Sequence, residues 1–286
     1  MADTQNTIYA QTYGRNIIQL AQQKYSKLYG AVFQKSGVSG KTFFQDQIGQ
    51  WEMSAKAGRN VQTPNNDPNL ARRMGTMVDY HDARLLDRGD ELRTISDPRS
   101  AYTIASASSI GRKIDDVIIS ALLGTANYGE TGSSSVTHSN VVACTTGYIW
   151  LSNLVALKKA FDDADVEAED RFLVMTPTTL SNMLLQSQMT SADYNAVKAL
   201  VNGDIDTFMG FKWITTTRLD AFTGVYATSL SGIAFQRYGL CMAQLAQPMV
   251  RTDERTDLSY SWQIYYELNL GAVRLEESRV VSATAV

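Results

Sequence analysis

From Ile104 to Leu122 the apolar residues fall on one stripe. Ile104, Ala107, Gly111, Ile114, Ile118 and Ala121 recur every three or four positions, and Val117 and Leu122 widen the band. Asp97 is a good N-cap, Pro98 suits the first helical position, and Gly124 is a natural stop. The pattern predicts a helix of about 27 residues, about 40 Å long, well above the globular mean of about 11–12 residues. Its other face carries Ser106, Ser109, Arg112, Lys113, Asp115 and Asp116. The helix is therefore expected to be half exposed, with Ile104, Ile114 and Ile118 on its buried side.

Downstream of Gly129–Ser135 the pattern becomes mixed. Leu151, Leu154, Val155 and Phe161 share one face of a predicted helix over 148–161. Phe172 to Met175 reads as a short buried strand, and Thr176-Pro177 opens a further helix to about 188. Residues 191–200 read as another helix, ending near Gly203. Residues 208–217, 233–242 and 259–283 read as strands, the last with clean alternation of Trp262, Ile264, Tyr266, Leu268 and Leu270. No internal repeat or low-complexity tract interrupts this order.

Upstream, the stripe is weaker. Residues 14–29 suggest an amphipathic helix through Ile17, Ile18, Leu20, Ala21, Tyr25 and Leu28, suited to packing on a neighbouring chain. Residues 46–95 are poor in apolar side chains and contain Asn60 to Asn69, dense in turn formers. Two flanking strands, about 50–58 and 72–86, make this a long β-hairpin with an irregular tip. An isolated hairpin is marginal in water, so it needs its own domain or a partner subunit.

Composition narrows the classes. Hydrophobic content of 44% with 19% charged residues excludes general disorder. The formal charge of −3 argues against a dedicated nucleic-acid binder. Within residues 1–45, however, Arg15, Lys24, Lys27, Lys35 and Lys41 face Asp3 alone, a net +4 that leaves −7 for the remainder. This basic arm is expected to dock on acidic neighbours, with DNA phosphates as the lesser alternative, and removal of residues 1–35 is expected to leave a folded subunit. Cys144 and Cys241 sit among apolar residues and read as buried free thiols, consistent with a reducing compartment. No signal peptide is expected at the N-terminus, and no stretch of about 18 apolar residues suggests a membrane span.

Candidate chemistry is sparse. Gly40-Lys41-Thr42 ends like a phosphate-binding loop, but Lys35 stands where the first glycine is needed, and a strand before and helix after are required. Asp163, Asp165, Glu167 and Glu169 alternate, yet Ala168 and Val174 occupy the positions where an EF-hand needs Gly and Glu. His81 and His138, the only histidines, lie near no nucleophile-elbow sequence and in no zinc spacing. No catalytic, cofactor or metal residue is assigned.

The order of elements resembles the Hong Kong 97-type major capsid protein of tailed phages. The words that carry the likeness are Asp97-Pro98 with Ile110-Gly111-Arg112-Lys113-Ile114-Asp115-Asp116, then Arg171 to Pro177, Gly203-Asp204-Ile205 with Phe208-Met209-Gly210-Phe211, and Gly271-Ala272-Val273-Arg274 with Val280-Val281. Each is weak alone; their shared order over nearly the whole chain carries the resemblance. It implies an α+β fold with an N-terminal arm (1–45), an extended hairpin loop (46–96), a peripheral domain (97–125 and 246–286) and an axial domain (126–245). It implies a homo-oligomer whose pentamers and hexamers form an icosahedral virion shell assembled in the host cytoplasm. Scaffolding, portal and cement proteins and packaged DNA are the further partners; membrane and cofactor are not. An encapsulin-like compartment shell shares the fold. On this reading Lys56, Arg59, Arg72, Arg73, Asp79, Asp82, Arg84, Asp87, Arg88 and Asp90 are the hairpin charges expected to pair between subunits.

Overall fold

The computed structural model describes residues 22–63, 65, 67–87, 99–144, 147–186, 207–222 and 230–285. Strands β1 (Phe33–Lys35), β2 (Thr42–Ile48), β3 (Leu70–Thr76) and β4 (Val78–Leu86) precede the long helix α1 (Arg99–Leu123). Then follow β5 (Ala126–Tyr128), β6 (Ser134–Val136), β7 (Val141–Cys144), α2 (Leu151–Asp163), β8 (Arg171–Met175) and α3 (Pro177–Leu184). The chain closes with β9 (Thr207–Phe208), β10 (Phe211–Thr215), β11 (Leu230–Gln236), β12 (Leu240–Gln244), β13 (Met249–Arg255), β14 (Ser261–Arg274) and β15 (Val280–Ala285). The predicted long helix, the strand before Pro177 and the long alternating strand are all present. The predicted helix over 191–200 and the Asp97-Pro98 cap lie outside the described residues.

Three sheets divide the molecule into three cores. A mixed six-stranded sheet runs β7-β15-β11-β8-β10-β9. Its period of two sorts side chains cleanly: Phe172, Val174, Ile233 and Phe235 point to α1, while Leu173, Met175 and Ala234 point to α2 and α3. A second sheet is organised by β14, whose registers place β12 and then β13 along one edge and β4 along the other. Here Leu240 and Met242 join the α1 core, and Cys241 and Ala243 join a third core with Phe43, Met77 and Val273. The third sheet, β2-β3-β5-β6, covers that face.

Helix α1 lies where the first two sheets meet. Ile114 and Ile118 are buried as expected. Ile104 is not: it is 51% exposed, because this end of the helix runs beyond the packed α1 core, whose helical members begin at Ile110. The supposedly solvated face also needs correction. Asp115 is fully buried and Ser106 nearly so, while Asp116 holds Arg218 through paired bonds of 2.6 and 2.8 Å.

The hairpin differs from expectation in its boundaries. Its first arm is β2, not 50–58, because Phe43 lays its ring across Gly75 and reaches the third core. The stretch 72–86 is two strands. Met77 is buried and donates its N–H to Lys41 O at 2.8 Å, so β3 stays with the hairpin sheet while β4 turns onto β14. The expected helix over 14–29 also fails in its described part: residues 22–28 are irregular and lead into a 3₁₀ turn, Tyr29–Ala31.

Candidate assembly surface

Beyond the β2–β3 ladder, Gly49 N donates to Asn69 O at 2.7 Å and closes the stem. Past that point the described residues of the loop make no regular pairing, and their large side chains face solvent. Trp51 is 71% and Met53 99% exposed, flanked by Ile48 and Leu70 at the stem. Sequence reasoning treated this loop as polar and missed that its few apolar residues cluster near one end. Lys56 and Arg59 are exposed on the same loop.

The other hairpin charges largely engage their own chain. Arg72 grips Asp46 through bonds of 2.6 and 3.3 Å, which lowers the Asp46 pKa, and lies over the Phe44 ring. Arg73 is mostly buried, donates to Leu275 O at 2.8 Å and lies 3.6 Å from Glu277. Asp79 accepts from Asn269, Asp82 accepts from the Tyr266 hydroxyl, and Arg84 sits over the Tyr102 ring. Within the single chain these five charges therefore already have partners, in Asp46, in Tyr102 of α1, in Tyr266 and Asn269 of β14, and in Leu275 and Glu277 just beyond it. Asp87 is exposed; Arg88 and Asp90 lie outside the described residues.

Two polar clusters lock the chain to itself. The first fastens the N-terminal segment to α1. The Asp115 carboxylate accepts Gln23 Nε2 and Ser26 Oγ at 2.5 Å each, Lys27 N at 3.2 Å and Leu28 N at 3.1 Å. One turn earlier, Gly111 lets the backbone of Tyr25 and Ser26 cross so closely that a Cβ would meet Ser26 N at 2.9 Å. Leu28, Ala31 and Val32 then enter the α1 core and β1 pairs with β12. Residues 22–35 are thus part of the subunit body, and the expectation that a chain lacking residues 1–35 folds normally is withdrawn.

The second cluster is at the far end of α1. Arg274, fully buried, donates Nη1 to Leu122 O at 2.8 Å and Gly124 O at 2.6 Å, Nη2 to Val136 O at 3.3 Å, and Nε to Glu277 at 2.7 Å. Its charge lies where the helix leaves carbonyls unpaired and its dipole is negative. Nearby, His138 Nε2 is 3.0 Å from Ser282 Oγ. Burial, then the charge of Arg274, push the His138 pKa down from 6.5 to about 4. The folded protein therefore resists protonation that the unfolded chain accepts. The stability at stake is fully present above about pH 6.5 and is lost as pH falls toward 4. Replacing His138 with Gln should flatten that part of the stability–pH curve by on the order of 2 kcal/mol. Urea titrations of wild type and variant at several pH values measure it; parallel curves would rule it out.

The decoys resolve in physical terms. Gly40-Lys41-Thr42 leads into strand β2, so no helix N-terminus stands behind the loop. Glu167 pairs with Arg279, and Asp163 with Lys159 at 3.9 Å. Among the described residues no cluster of His, Cys, Asp and Glu could hold a metal, and no helix is long and apolar enough to cross a membrane. Both cysteines are buried, and burial raises the Cys241 thiol to about 11.

The architecture is shared with solved capsid structures. That of cyanophage P-SCSP1u matches 98% of this chain and 94% of its own, at 13% identity and a TM-score of 0.78. That of a native GTA particle matches 100% and 98%, at 11% identity and a TM-score of 0.74. That of cyanophage Pam1 matches 99% and 98%, at 12% identity and a TM-score of 0.73. No curated protein sequence matches the chain. The family model described as "Phage capsid protein" matches residues 5–286. With these structural likenesses to Hong Kong 97-type shells, the chain belongs to the phage capsid protein family.

Proposed function

We propose that this chain is the major capsid protein of a tailed phage, a mechanical subunit and not an enzyme. Copies join into pentamers and hexamers, which close into an icosahedral shell around the genome in the host cytoplasm. Residues 97–125 and 246–286 serve as the peripheral domain and 126–245 as the axial domain, with 46–96 as the extended loop. Portal, scaffolding and cement proteins are the further partners, and the N-terminal arm docks on acidic surfaces of adjacent subunits, with nonspecific contact to packaged DNA as the lesser alternative. Family membership supports the shell role; the single structural observation that carries it is the solvent-facing apolar loop. Trp51 and Met53 lie two residues apart on it, both large, apolar and turned to solvent in the single chain. Burying each against a neighbour is worth about 1.5–3 kcal/mol.

Replacing both Trp51 and Met53 with Ser should leave thermal unfolding of the free subunit unchanged. It should raise the concentration needed for shell formation by at least about tenfold, from the burial energy lost. Light scattering and electron microscopy measure assembly. Shells forming at the wild-type concentration would overturn the loop's role. Trypsin should cut at Lys56 and Arg59 in the free subunit and spare both in the shell.

A further inference from the structure

Strand β13 is a sheet edge. It pairs with β14 along one side, and among the described residues no strand pairs with its other side. Alternate N–H and C=O groups of Met249–Arg255 are therefore left without a ladder. The register on β14 fixes which side chains share a face. Arg251 and Asp253 stand level with Tyr265 and Gln263, while Thr252 is level with the buried Ile264 on the opposite face. Arg255 is already engaged, donating to Gln263 Oε1 at 2.8 Å and holding Asp257. Arg251 and Asp253 are exposed and have no ion pair or side-chain hydrogen bond among the described residues. The free edge thus presents one positive and one negative side chain, on one face, on either side of Thr252.

That order of signs is complementary to itself. Two copies of one strand that pair antiparallel about a two-fold axis must set one residue opposite itself, because paired positions share a face and side chains alternate. With Thr252 at the axis, Arg251 of each copy stands opposite Asp253 of the other, and both cross-strand pairs are attractive. Moving the axis to Asp253 sets Asp253 against itself and Arg251 against Arg255. Moving it to Arg251 sets Arg251 against itself. Of these registers, the one centred on Thr252 opposes unlike charges. We infer that β13 is a contact between copies of this chain: in the shell it pairs with β13 of a second copy about a two-fold axis through Thr252. The inference rests on the shell reading above. The two sheets become one, with both α1 helices on the same side of it. Self-complementarity is what selects a second copy over an unrelated peptide as the occupant. A ladder of seven residues falls short of a standard interface of about 1,600 Å², so it forms once other contacts have brought two edges together.

Charge exchange in the full-length protein tests this. Arg251→Asp gathers four acids at the axis and Asp253→Arg gathers four bases. Each should raise the concentration needed for shell formation by about fivefold at low salt, and by less at high salt. The double variant, Arg251→Asp with Asp253→Arg, restores unlike neighbours and should assemble as the wild type does. Thermal unfolding of the free subunit should be the same in all four proteins. Independently, Thr252→Cys should link two copies by a disulfide when assembled shells are mildly oxidised, with Cys144 and Cys241 silent in the core. Glu254→Cys should not, because its two copies lie about 13 Å apart in this register. Single variants that assemble at the wild-type concentration would mean that the charges keep the edge unpaired. That result, a double variant that does not recover, or linking through Glu254→Cys and not Thr252→Cys would overturn the inference and leave the shell reading intact. A wild type that forms no shells would overturn both.

Discussion

Replacing Arg274 with Met should cost about 3–5 kcal/mol of subunit stability, the range for removing one partner of a buried ion pair. The side chain is fully buried, so water cannot replace its bonds without opening the core. Methionine fills similar space but donates nothing. It would leave the Leu122 and Gly124 carbonyls at the end of α1, and Val136 O on β6, without their donor. Glu277 would keep only the longer contact of 3.6 Å to Arg73. A drop of roughly 6–20 °C in the midpoint of thermal unfolding follows for a domain of this size. Arg274→Lys should recover little, because one ammonium cannot span carbonyls and carboxylate at once. Adding Glu277→Gln to Arg274→Met should restore part of the loss by removing the stranded charge. If Arg274→Met costs less than about 1 kcal/mol, the cluster rehydrates and does not fasten the helix.

What the sequence made legible and what it hid divide along physical lines. The stripe of α1, the run Phe172 to Met175 and the alternation from Trp262 to Leu270 all record burial against a sheet or helix in the same chain, so periodicity reveals them. Strand β13 left no such trace. Met249 to Glu254 are exposed on both faces, and the strand exists because β14 offers an edge to pair with. The hairpin arm was misplaced for a related reason. Only Phe43 of Thr42–Ile48 is buried, and one inward ring is too little signal to set a register. Ile104 failed in the opposite sense: its spacing is right, but the core ends before it.

The charges were harder still. Arg72, Arg73, Asp79, Asp82 and Arg84 look alike in a string of polar residues, and a mixed-charge hairpin reads as a surface seeking a partner. For Asp79 and Asp82 the partner exists because β4 lies beside β14, a contact between residues about 180 positions apart. The loop after β2 carried a better clue than its charges. Trp51 and Met53 are large apolar residues in a stretch otherwise rich in Gly, Asn and Pro, and such residues need a cover that the loop cannot supply.

Asp115 was read as solvated because carboxylates on the polar side of an amphipathic helix usually are, and the clue to the contrary was Gly111 one turn before it. A residue without a side chain beside a buried acid marks a crossing chain, and that crossing carries the second large expected effect. Asp115→Ala should destabilise the subunit by about 3–5 kcal/mol, since the Lys27 and Leu28 amides each lose their acceptor at about 1–3 kcal/mol, with Ser26 and Gln23 adding to the loss. Asp115→Asn tests whether charge or shape matters. Its amide presents donors to donors on one side, so it should recover less than half of the loss despite its near-identical size. Gly111→Leu should act on the same contact from the other direction by lifting the Tyr25–Ser26 backbone off the helix. Because both changes release one segment, the double variant should cost little more than the worse single one. Urea unfolding of the unassembled subunit gives these energies, and amide exchange at Lys27 and Leu28 reports the release directly. Full additivity, or Asp115→Ala with wild-type stability and slow exchange at both amides, would show that the N-terminal segment is held by Leu28 and Val32 in the core and not by the carboxylate.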